Sequence, residues 1–234
     1  MTKVSEVDRL KAAAADAAVA MVEDGMIVGL GTGSTTSIAL GILSQRVAEG
    51  LRVISIPTSE QTEREARRLR IPLSTLAQHD HIDVTLDGAD EVEVATLNLL
   101  KGRGGALLRE KIVASASEHL IIMVDETKLV NRLGVQSAVA VEVVPFGWSA
   151  TARTLRGLVT ALERRMTGDG EPFITDGGHY ILDCTCGGIE DAEGLRRQLD
   201  ENRRSCRIRV IPWHRFSRHR WRLKGCPCTP TNVR

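Results

Sequence analysis

The sequence has few aromatic residues and no long apolar run. Aromatic side chains make up 3% of its 234 residues, so the core must be built mainly from Ala, Val, Leu and Ile. No apolar run reaches the roughly 18 residues that a membrane-spanning helix needs, and no apolar signal segment follows a basic one near Met1. The five cysteines are an odd number, which does not suit a disulfide scaffold. We therefore expect a globular protein of the reducing cytoplasm.

Acidic residues are absent from the end of the chain. Residues 203–234 hold ten Lys and Arg side chains and no Asp or Glu, although the whole chain has 31 basic and 30 acidic residues. The same segment holds three of the five cysteines, two of the three tryptophans and three of the seven prolines. This change of composition predicts a boundary near Asn202, with an atypical basic tail after it.

Strands and helices alternate through residues 1–138. Short apolar runs predict strands at 26–30, 52–56, 71–76, 82–86 and 120–124. Helical patterns cover 4–24, the residues up to 49, 58–69 and 106–117, and Thr58 with Gln61 indicates a capping box for the third of these helices. Such alternation is typical of a mostly parallel sheet with helices on both faces. We therefore predict a Rossmann-like α/β domain over residues 1–138, which would carry the chemistry.

The pattern of predicted helices and strands changes after residue 138. The pattern predicts a strand at 139–144, a helix at 149–166, strands at 173–175 and 180–182 around a turn at 176–179, and a helix at 191–202. This β-α-β-β-α order fits a small ferredoxin-like α+β fold that lacks its last strand. We therefore predict a lid-like second domain over residues 139–202.

A glycine-rich turn follows the first predicted strand. The segment Gly31-Thr32-Gly33-Ser34-Thr35 would aim backbone N–H groups and hydroxyls at a helix N-terminus, which suits a phosphate group. It lacks the lysine of a P-loop and the third glycine of a dinucleotide fingerprint, so nucleotide binding is not the first choice. A tight turn with a helix N-cap would give the same pattern.

Three carboxylates lie in the segment Asp87-Gly88-Ala89-Asp90-Glu91, directly after the strand predicted at 82–86. The carboxyl ends of strands in an open α/β sheet are where ligands bind. Crowded carboxylates raise one another's pKa and can act as acid and base near neutral pH. A solvated acidic turn that caps the next helix is the alternative.

Two cations lie among three glycines in Lys101-Gly102-Arg103-Gly104-Gly105, so the backbone could approach an anion closely. A flexible surface loop is the alternative. In the helix that follows, the apolar stripe uses Leu108 and Ile112, so periodicity alone makes Glu110 a solvated residue. Lys128, in a polar segment after the strand at 120–124, is either another anion contact or a surface lysine.

The sheet would gather these polar clusters at one edge. A phosphate-binding turn, carboxylates and lysines together suit proton transfer on a phosphorylated carbonyl compound. The histidines outside the tail have no ligand-like spacing; they are His79, His81, His119 and His179. Cys184 and Cys186 lack a second pair and more simply reflect packing. The sequence therefore supports neither a metal nor a redox cofactor.

Several motifs together resemble the type A ribose-5-phosphate isomerases. The matching stretches are VGLGTGST at 28–35, IPTS at 56–59, DGADE at 87–91, KGRGGALLREK at 101–111, VEVVP at 141–145 and ILD at 181–183. They occur in order and span roughly residues 4–200. The resemblance implies an isomerase that interconverts D-ribose 5-phosphate and D-ribulose 5-phosphate through a cis-enediolate, in the non-oxidative pentose phosphate pathway and without a cofactor. It also implies a homodimer or homotetramer.

The resemblance assigns roles to the residues that match its motifs. Glu110 would move a proton between C2 and C1, Lys101 would stabilise the developing oxyanion, and Asp87 would assist ring opening and proton transfer between hydroxyls. Asp90 would hold substrate hydroxyls, and Lys128 would pair with the substrate anion. The other residues expected to line the substrate site are Thr32, Gly33, Ser34, Thr35, Gly88, Ala89, Gly102, Arg103 and Gly104.

The tail departs from the resemblance. In the family, the helix predicted at 191–202 is followed by a Gly-Val-Val-rich strand in the small domain and then by a return strand in the main domain. Here an acid-free segment rich in Arg, Cys and Trp follows instead. We hypothesise that the residues after Asn202 are translated from a shifted reading frame. If the tail is native, residues 208–211 would make a poor substitute strand.

Three alternatives stay open on the sequence alone. A sugar-phosphate-sensing regulatory module of the same fold could contact nucleic acid through the basic tail, although no helix-turn-helix pattern is evident. A related amino-sugar phosphate deaminase or another sugar-phosphate isomerase is the second. The third is a zinc site in the tail, whose ligand spacing matches no standard pattern; its candidates are Cys206, His214, His219, Cys226 and Cys228. We expect a small sugar phosphate as the ligand and no membrane or nucleic-acid partner.

Overall fold

The computed structural model describes residues 5–201 and 220–224. In chain order the elements are α1 (Glu6–Val19), β1 (Ile27–Leu30), α2 (Ser34–Ala48), β2 (Ile54–Pro57), α3 (Glu60–Arg68), β3 (Ile82–Asp87), β4 (Glu91–Glu93), β5 (Leu99–Leu100), α4 (Leu107–Ser115), β6 (Ser117–Met123), a 3₁₀ turn (Glu126–Lys128), β7 (Leu129–Val130), β8 (Val139–Val143), α5 (Trp148–Leu155), β9 (Ala161–Arg164), β10 (Tyr180–Thr185), α6 (Ala192–Glu201) and β11 (Arg220–Lys224).

The described residues form two compact units. The first comprises 5–89, 109–128 and 220–224, and the second comprises 90–108 and 129–201. Segments 90–108 and 129–138, which the sequence pattern assigns to the main domain, group with the second unit. The domain boundaries near residues 138 and 202 stay predictions.

The first unit contains a five-stranded parallel sheet in the order β11-β6-β3-β1-β2. All four neighbouring pairs are parallel, which confirms the predicted α/β class. Helix α1 begins where Ser5 Oγ accepts a hydrogen bond from Asp8 N, and its buried face carries Ala14, Ala15, Ala18 and Val19. Among the residues whose side chains the structure describes, the core cluster that these four residues join contains aliphatic side chains and methionine, in line with the low aromatic content.

Two local predictions for the first unit are wrong. Residues 71–76 do not form a strand and make only an isolated bridge between Leu73 and Ser55. Helix α3 is capped by Ser59, whose Oγ accepts from Thr62 N, rather than by Thr58. The reason is that Thr58 N donates to Leu30 O at 2.9 Å, so Thr58 prolongs the pairing of β2 with β1 and the helix begins one residue later.

The second unit contains an antiparallel sheet in the order β8-β10-β9, with α5 and α6 contributing to the core on one side of it. This arrangement fits the predicted α+β class. The helix predicted at 149–166 is wrong beyond Leu155, because Gly157 and Leu158 turn the chain and Ala161–Arg164 pairs with β10 as β9. The strand predicted at 173–175 is also absent, although Thr175 N does donate to His179 O across the expected turn.

Three very short strands in the second unit were not predicted. β4 pairs with β5 in antiparallel and with β7 in parallel orientation. Strands of two or three residues are too short to leave a hydrophobic period in a sequence.

Strand β11 is the described part of the basic tail, and it pairs in parallel with β6. The poor substitute strand at 208–211 and the tail cysteines and histidines lie outside the described residues. No helix within the described residues is long and apolar enough to cross a membrane.

Candidate functional site

The predicted phosphate turn connects β1 to the N-terminus of α2. Gly33 is the residue before the helix, with φ of 133°, and no side chain caps the first turn, which also lacks acidic residues. Ser34 is exposed, and its Oγ accepts a hydrogen bond from Lys11 Nζ at 3.1 Å. Uncapped N–H groups at the positive end of a helix dipole, next to a lysine, favour an anion.

The hydroxyl of Thr32 lies within a cluster of hydroxyls in the first unit. Thr32 Oγ1 is 2.9 Å from Thr58 Oγ1, 2.8 Å from Ser59 Oγ and 3.1 Å from Thr62 Oγ1. Thr62 Oγ1 in turn donates to Gly31 O at 2.8 Å. These bonds fasten the turn to the start of α3. The donors left for an anion are therefore the backbone N–H groups and the hydroxyls of Ser34 and Thr35.

Asp87 is the last residue of β3 and is fully buried. Its Oδ1 accepts a hydrogen bond from Gly88 N at 2.8 Å, and it lies against Gly31, whose N donates to Leu86 O. A Cβ at Gly31 would lie 2.1 Å from Asp87 Oδ1 and 2.8 Å from Asp87 Cα. The structure therefore brings Asp87 and the phosphate turn together, and a glycine is required between them.

We expect Gly31→Ala to lower the free energy of unfolding by about 1–3 kcal/mol, the usual cost of overpacking. The backbone of Asp87 cannot yield to the added methyl group as the end of a flexible side chain would. Urea unfolding measures the change. Gly41→Ala is the matched control, because a Cβ at this position in α2 meets nothing within 4 Å and should stabilise the helix by about 0.5–1 kcal/mol. Equal effects of the two substitutions would contradict the close approach.

Asp90 lies in the second unit, where it organises the Lys101–Gly105 segment, called here the glycine loop. Asp90 N donates to Leu100 O at 2.8 Å, and Arg103 N donates to Asp90 Oδ2 at 2.9 Å. Within the loop, Gly105 N donates to Gly102 O. Lys101 is buried, with 6% of its surface exposed, whereas Arg103 and Gly104 are exposed.

Two glycines of this loop lie in close contact with other parts of the second unit. Gly102 has φ of 117°, and a Cβ there would lie 2.7 Å from Ala140 Cβ; Gly105 has φ of 80°, and its Cβ would lie 2.5 Å from the ring of Phe173. Both positions require glycine on conformational and steric grounds. The packing shows that the loop is not the free surface loop that the sequence left open.

Glu91, the third carboxylate of the acidic segment, has a structural role. It is fully buried, and its carboxylate accepts hydrogen bonds from the backbone N–H groups of Gly134, Gln136 and Ser137. A buried carboxylate satisfied by three backbone donors anchors the segment that bears them. The sequence assigned no substrate contact to Glu91, and this backbone role is a finding of the structure.

Glu110 lies on the buried face of α4. Only 3% of its surface is exposed, and the neighbouring positions Leu107, Val113 and Ala114 are buried as well. Ile112, which periodicity placed on the apolar stripe, is 40% exposed. The prediction of a solvated Glu110 from the pattern alone is therefore wrong. The sequence did contain a signal for the burial of Glu110. Leu107 and Val113 lie three residues before and after it, so all three residues share one face of the helix.

Lys128 ends the 3₁₀ turn after β6 and is partly exposed. Asp125, at the start of this turn, is buried, and its Oδ1 accepts from Thr127 N at 3.0 Å. Lys128 N donates to the carbonyl of Asp125. Asp125 thus fixes the backbone of the turn that carries Lys128. The side chain of this lysine is partly exposed and is accessible to an anion.

One group of possible metal ligands lies within the described residues. The ligand atoms of His81, Asp83 and Glu118 lie within 4.8 Å of one another. All three side chains are more than a third exposed, and His81 Nε2 is 3.8 Å from either carboxylate. Exposed groups of this kind are common without an ion. We therefore assign no metal-binding or catalytic role to His81, Asp83 and Glu118.

Cys184 and Cys186 are free thiols on β10 and after it. Burial raises the pKa of the Cys184 thiol to about 12, with smaller contributions from Cys186 and Asp183, and burial also raises the pKa of Cys186. Cys184 is part of the core of the second unit, which agrees with the packing role predicted from the sequence.

We expect Cys184 to resist iodoacetamide at pH 8 in the native protein and to react in denaturant, because only the thiolate is nucleophilic. Mass spectrometry of the peptide with and without denaturant measures the modification, and the half-buried Cys186 is the internal comparison. The folded-state pKa lies above the unfolded value of about 8.5, so this thiol should destabilise the fold as pH rises past 8.5 and leave it unaffected below. Fast native alkylation of Cys184 would contradict the buried position.

The buried acids and the glycine loop lie in segments that match known proteins. The sequence model described as ribose 5-phosphate isomerase A (phosphoriboisomerase A) matches residues 54–203. Ribose-5-phosphate isomerase A of Gloeobacter violaceus is 55% identical over 195 residues, which cover 83% of this chain and 84% of the relative.

Solved structures give the same result. The structure of ribose 5-phosphate isomerase A from Methanocaldococcus jannaschii aligns with a TM-score of 0.81 and 37% identity over 87% of this chain and 92% of that one. A D-ribose-5-phosphate isomerase solved in complex with phospho-erythronic acid aligns with a TM-score of 0.80 and 38% identity over 84% and 87% of the two chains. This chain therefore belongs to the ribose 5-phosphate isomerase A family.

Proposed function

We propose that this protein interconverts D-ribose 5-phosphate and D-ribulose 5-phosphate. The observation that carries the proposal is the family membership of a chain whose matching segments hold three buried ionisable side chains. Asp87, Lys101 and Glu110 are 0%, 6% and 3% exposed. Asp, Glu and Lys side chains are almost never fully buried unless they are paired, so their burial in the matching segments marks these three residues as candidates for the catalytic site.

Glu110 acts as the base in the proposed reaction. Its carboxylate takes the proton from C2 of the open-chain aldose, and the electron pair of that C–H bond forms the C1–C2 double bond of a cis-enediolate. The same carboxyl then returns the proton to C1, which gives the ketose. General base catalysis of this type contributes about 10²–10⁴-fold in rate.

Lys101 and Asp87 act on the oxygen atoms of the substrate. The ammonium of Lys101 stabilises the negative charge that develops on the carbonyl oxygen as the enediolate forms. Asp87 assists opening of the furanose ring. It also carries a proton between the oxygen atoms on C1 and C2, so that these oxygens exchange a proton while the carbon-bound proton moves from C2 to C1. No other reactant is consumed, since the substrate and product are isomers.

The remaining predicted residues bind substrate. The uncapped amides at the start of α2 and the hydroxyls of Ser34 and Thr35 suit an anion, and Lys128 is accessible to pair with one. Asp90 holds sugar hydroxyls through the oxygen that does not bind Arg103 N. The other residues proposed to line the site are Thr32, Gly33, Gly88, Ala89, Gly102, Arg103 and Gly104. The relative solved with phospho-erythronic acid, a phosphorylated sugar acid, supports a ligand of this class.

The test supplies ribose 5-phosphate to the purified chain in EDTA, without nucleotide, and follows ketose formation. Running the reaction in D₂O and examining C1 of the product by NMR distinguishes an enediolate, which exchanges protons with solvent, from direct hydride transfer, which does not. Turnover with deuterium at C1 supports the proposal. Absence of turnover by a folded chain contradicts it.

The regulatory alternative has no support from the relatives described above, which are isomerases by name. It predicts salt-sensitive binding of DNA without turnover, so the same protein preparation tests both. We also propose a cytoplasmic homodimer or homotetramer, as the resemblance implies, and light scattering coupled to gel filtration measures the assembly.

A further inference from the structure

Arg165 connects the glycine loop to the small antiparallel sheet. Its guanidinium uses Nε and one terminal nitrogen to hold both carboxylate oxygens of Asp183, with the Nε–Oδ2 distance at 2.9 Å. The other terminal nitrogen donates to Gly102 O and Arg103 O, each at 3.0 Å. The pair is largely buried, with side-chain exposures of 16% for Arg165 and 29% for Asp183.

The backbones of both members of this pair are connected to the small sheet. Arg165 N donates to Ile181 O at 2.8 Å, directly after β9, and Asp183 lies within β10 opposite Ala140 of β8 and Glu163 of β9. The guanidinium carbon also lies 5.8 Å from the centre of the Phe173 ring, and that ring packs against Gly105. Residues of the sheet and of the segment after β9 therefore contact the loop at Gly102, Arg103 and Gly105.

The glycine loop needs such external contacts. Ordering one residue costs roughly 1–2 kcal/mol of backbone entropy, and glycine loses more than other residues. Only a planar fork of donors can bind a carboxylate in two places and still reach two carbonyls. The carboxylate of Asp183 neutralises the partly buried guanidinium, so the pair restrains the loop without adding a net charge to it.

We propose that Arg165 and Asp183 are positioning residues that fix the backbone of the glycine loop and thereby the ammonium of Lys101. The proposal rests on the catalytic role of Lys101 given under the proposed function. Because Lys101 acts on charge that develops only in the transition state, its displacement should lower kcat with little change in KM. Misplacement of a catalytic group by about 1 Å costs up to about 100-fold.

The experiment compares Arg165→Met, Arg165→Lys and Asp183→Asn with Arg153→Met, an exposed arginine of the same unit. We expect Arg165→Met to lower kcat at least about 10-fold, with KM changed less than about 3-fold. Arg165→Lys should recover part of the loss, since an ammonium reaches one carbonyl but cannot form the fork. It also keeps the test valid if Arg165→Met does not fold. The control should match the wild type.

A second readout does not depend on catalysis. Trypsin cleaves after lysine and arginine, and the loop offers it the exposed Arg103. Release of the Gly102 and Arg103 carbonyls should accelerate cleavage after Arg103 in the Arg165 and Asp183 variants but not in Arg153→Met. If the wild type lacks isomerase activity, the proposed function fails while this readout still tests the loop. Unchanged cleavage, or a lowered Tm with an unchanged kcat, would overturn the positioning role.

Discussion

Replacement of Glu110 by glutamine should lower kcat by at least ~100-fold, the low end of the range for general base catalysis, while KM stays near the wild-type value. Glutamine has the size of glutamate and can still form hydrogen bonds, but it cannot accept the C2 proton. The carboxylate is buried on α4, so solvent cannot easily replace it as the base. Initial rates of ketose formation at saturating ribose 5-phosphate measure the loss.

Isotope exchange makes this test sharper. Ribose 5-phosphate labelled with deuterium at C2 should lose its label to solvent or transfer it to C1 in the wild type, and both processes should slow together in Glu110→Gln. Glu49→Gln, an exposed residue at the end of α2, is the matched control and should leave both rates unchanged. Near-normal turnover in Glu110→Gln would remove Glu110 from the mechanism.

Lys101→Met should lower kcat by about 10²–10³-fold, the effect of removing one donor to an oxyanion, or about 3–4 kcal/mol of transition-state stabilisation. Methionine matches the length of the lysine stem and has no charge to bury in a position that is 6% exposed. The loss should therefore come from the missing ammonium. KM should change little, since the charge on the oxygen develops after substrate binds.

The double variant with Glu110→Gln tests whether the two side chains act on one intermediate. If they do, the combined loss should be smaller than the product of the single losses, because neither group functions fully without the other. Tm of each variant controls for folding. Multiplicative losses, or a normal kcat in Lys101→Met, would contradict the proposed role of Lys101.

The shifted-frame hypothesis for the tail stays a prediction. The family match ends at residue 203, next to the composition boundary near Asn202. Re-sequencing the gene through this region tests it, and a clean single frame would refute it.

Parts of the fold could be predicted because their signals are local. A buried parallel strand requires a short apolar run, and a helix requires its spacing, so β1, β3, β6, β8, α2 and α6 lie close to their predicted positions. The helix prediction for residues 149–166 was wrong beyond Leu155. Helix-forming residues continue after this position, but pairing with β10 decides the conformation of Ala161–Arg164. Propensity is a weak guide where a neighbouring strand supplies hydrogen bonds.

For the same reason, only some residues of the candidate site could be assigned from the sequence. Asp87 was expected at a strand end because the sheet topology puts strand ends where ligands bind. Glu110 could not be assigned from its helix alone, since burial depends on which other elements cover α4. The structural roles of Glu91 and Arg165 could not be predicted from the sequence, because the backbone groups that they bind lie 43 to 46 and 62 to 63 residues away in the chain.

The sequence by itself determined the parallel α/β class, the approximate positions of β1, β2, β3 and β6 in the main sheet and the residue types available for chemistry, since each depends on local composition and period. Only the tertiary structure decided which carboxylates are buried, which one serves as a backbone anchor and what holds the glycine loop. Burial and hydrogen-bond partnership are properties of residues distant in sequence, so no local pattern encodes them.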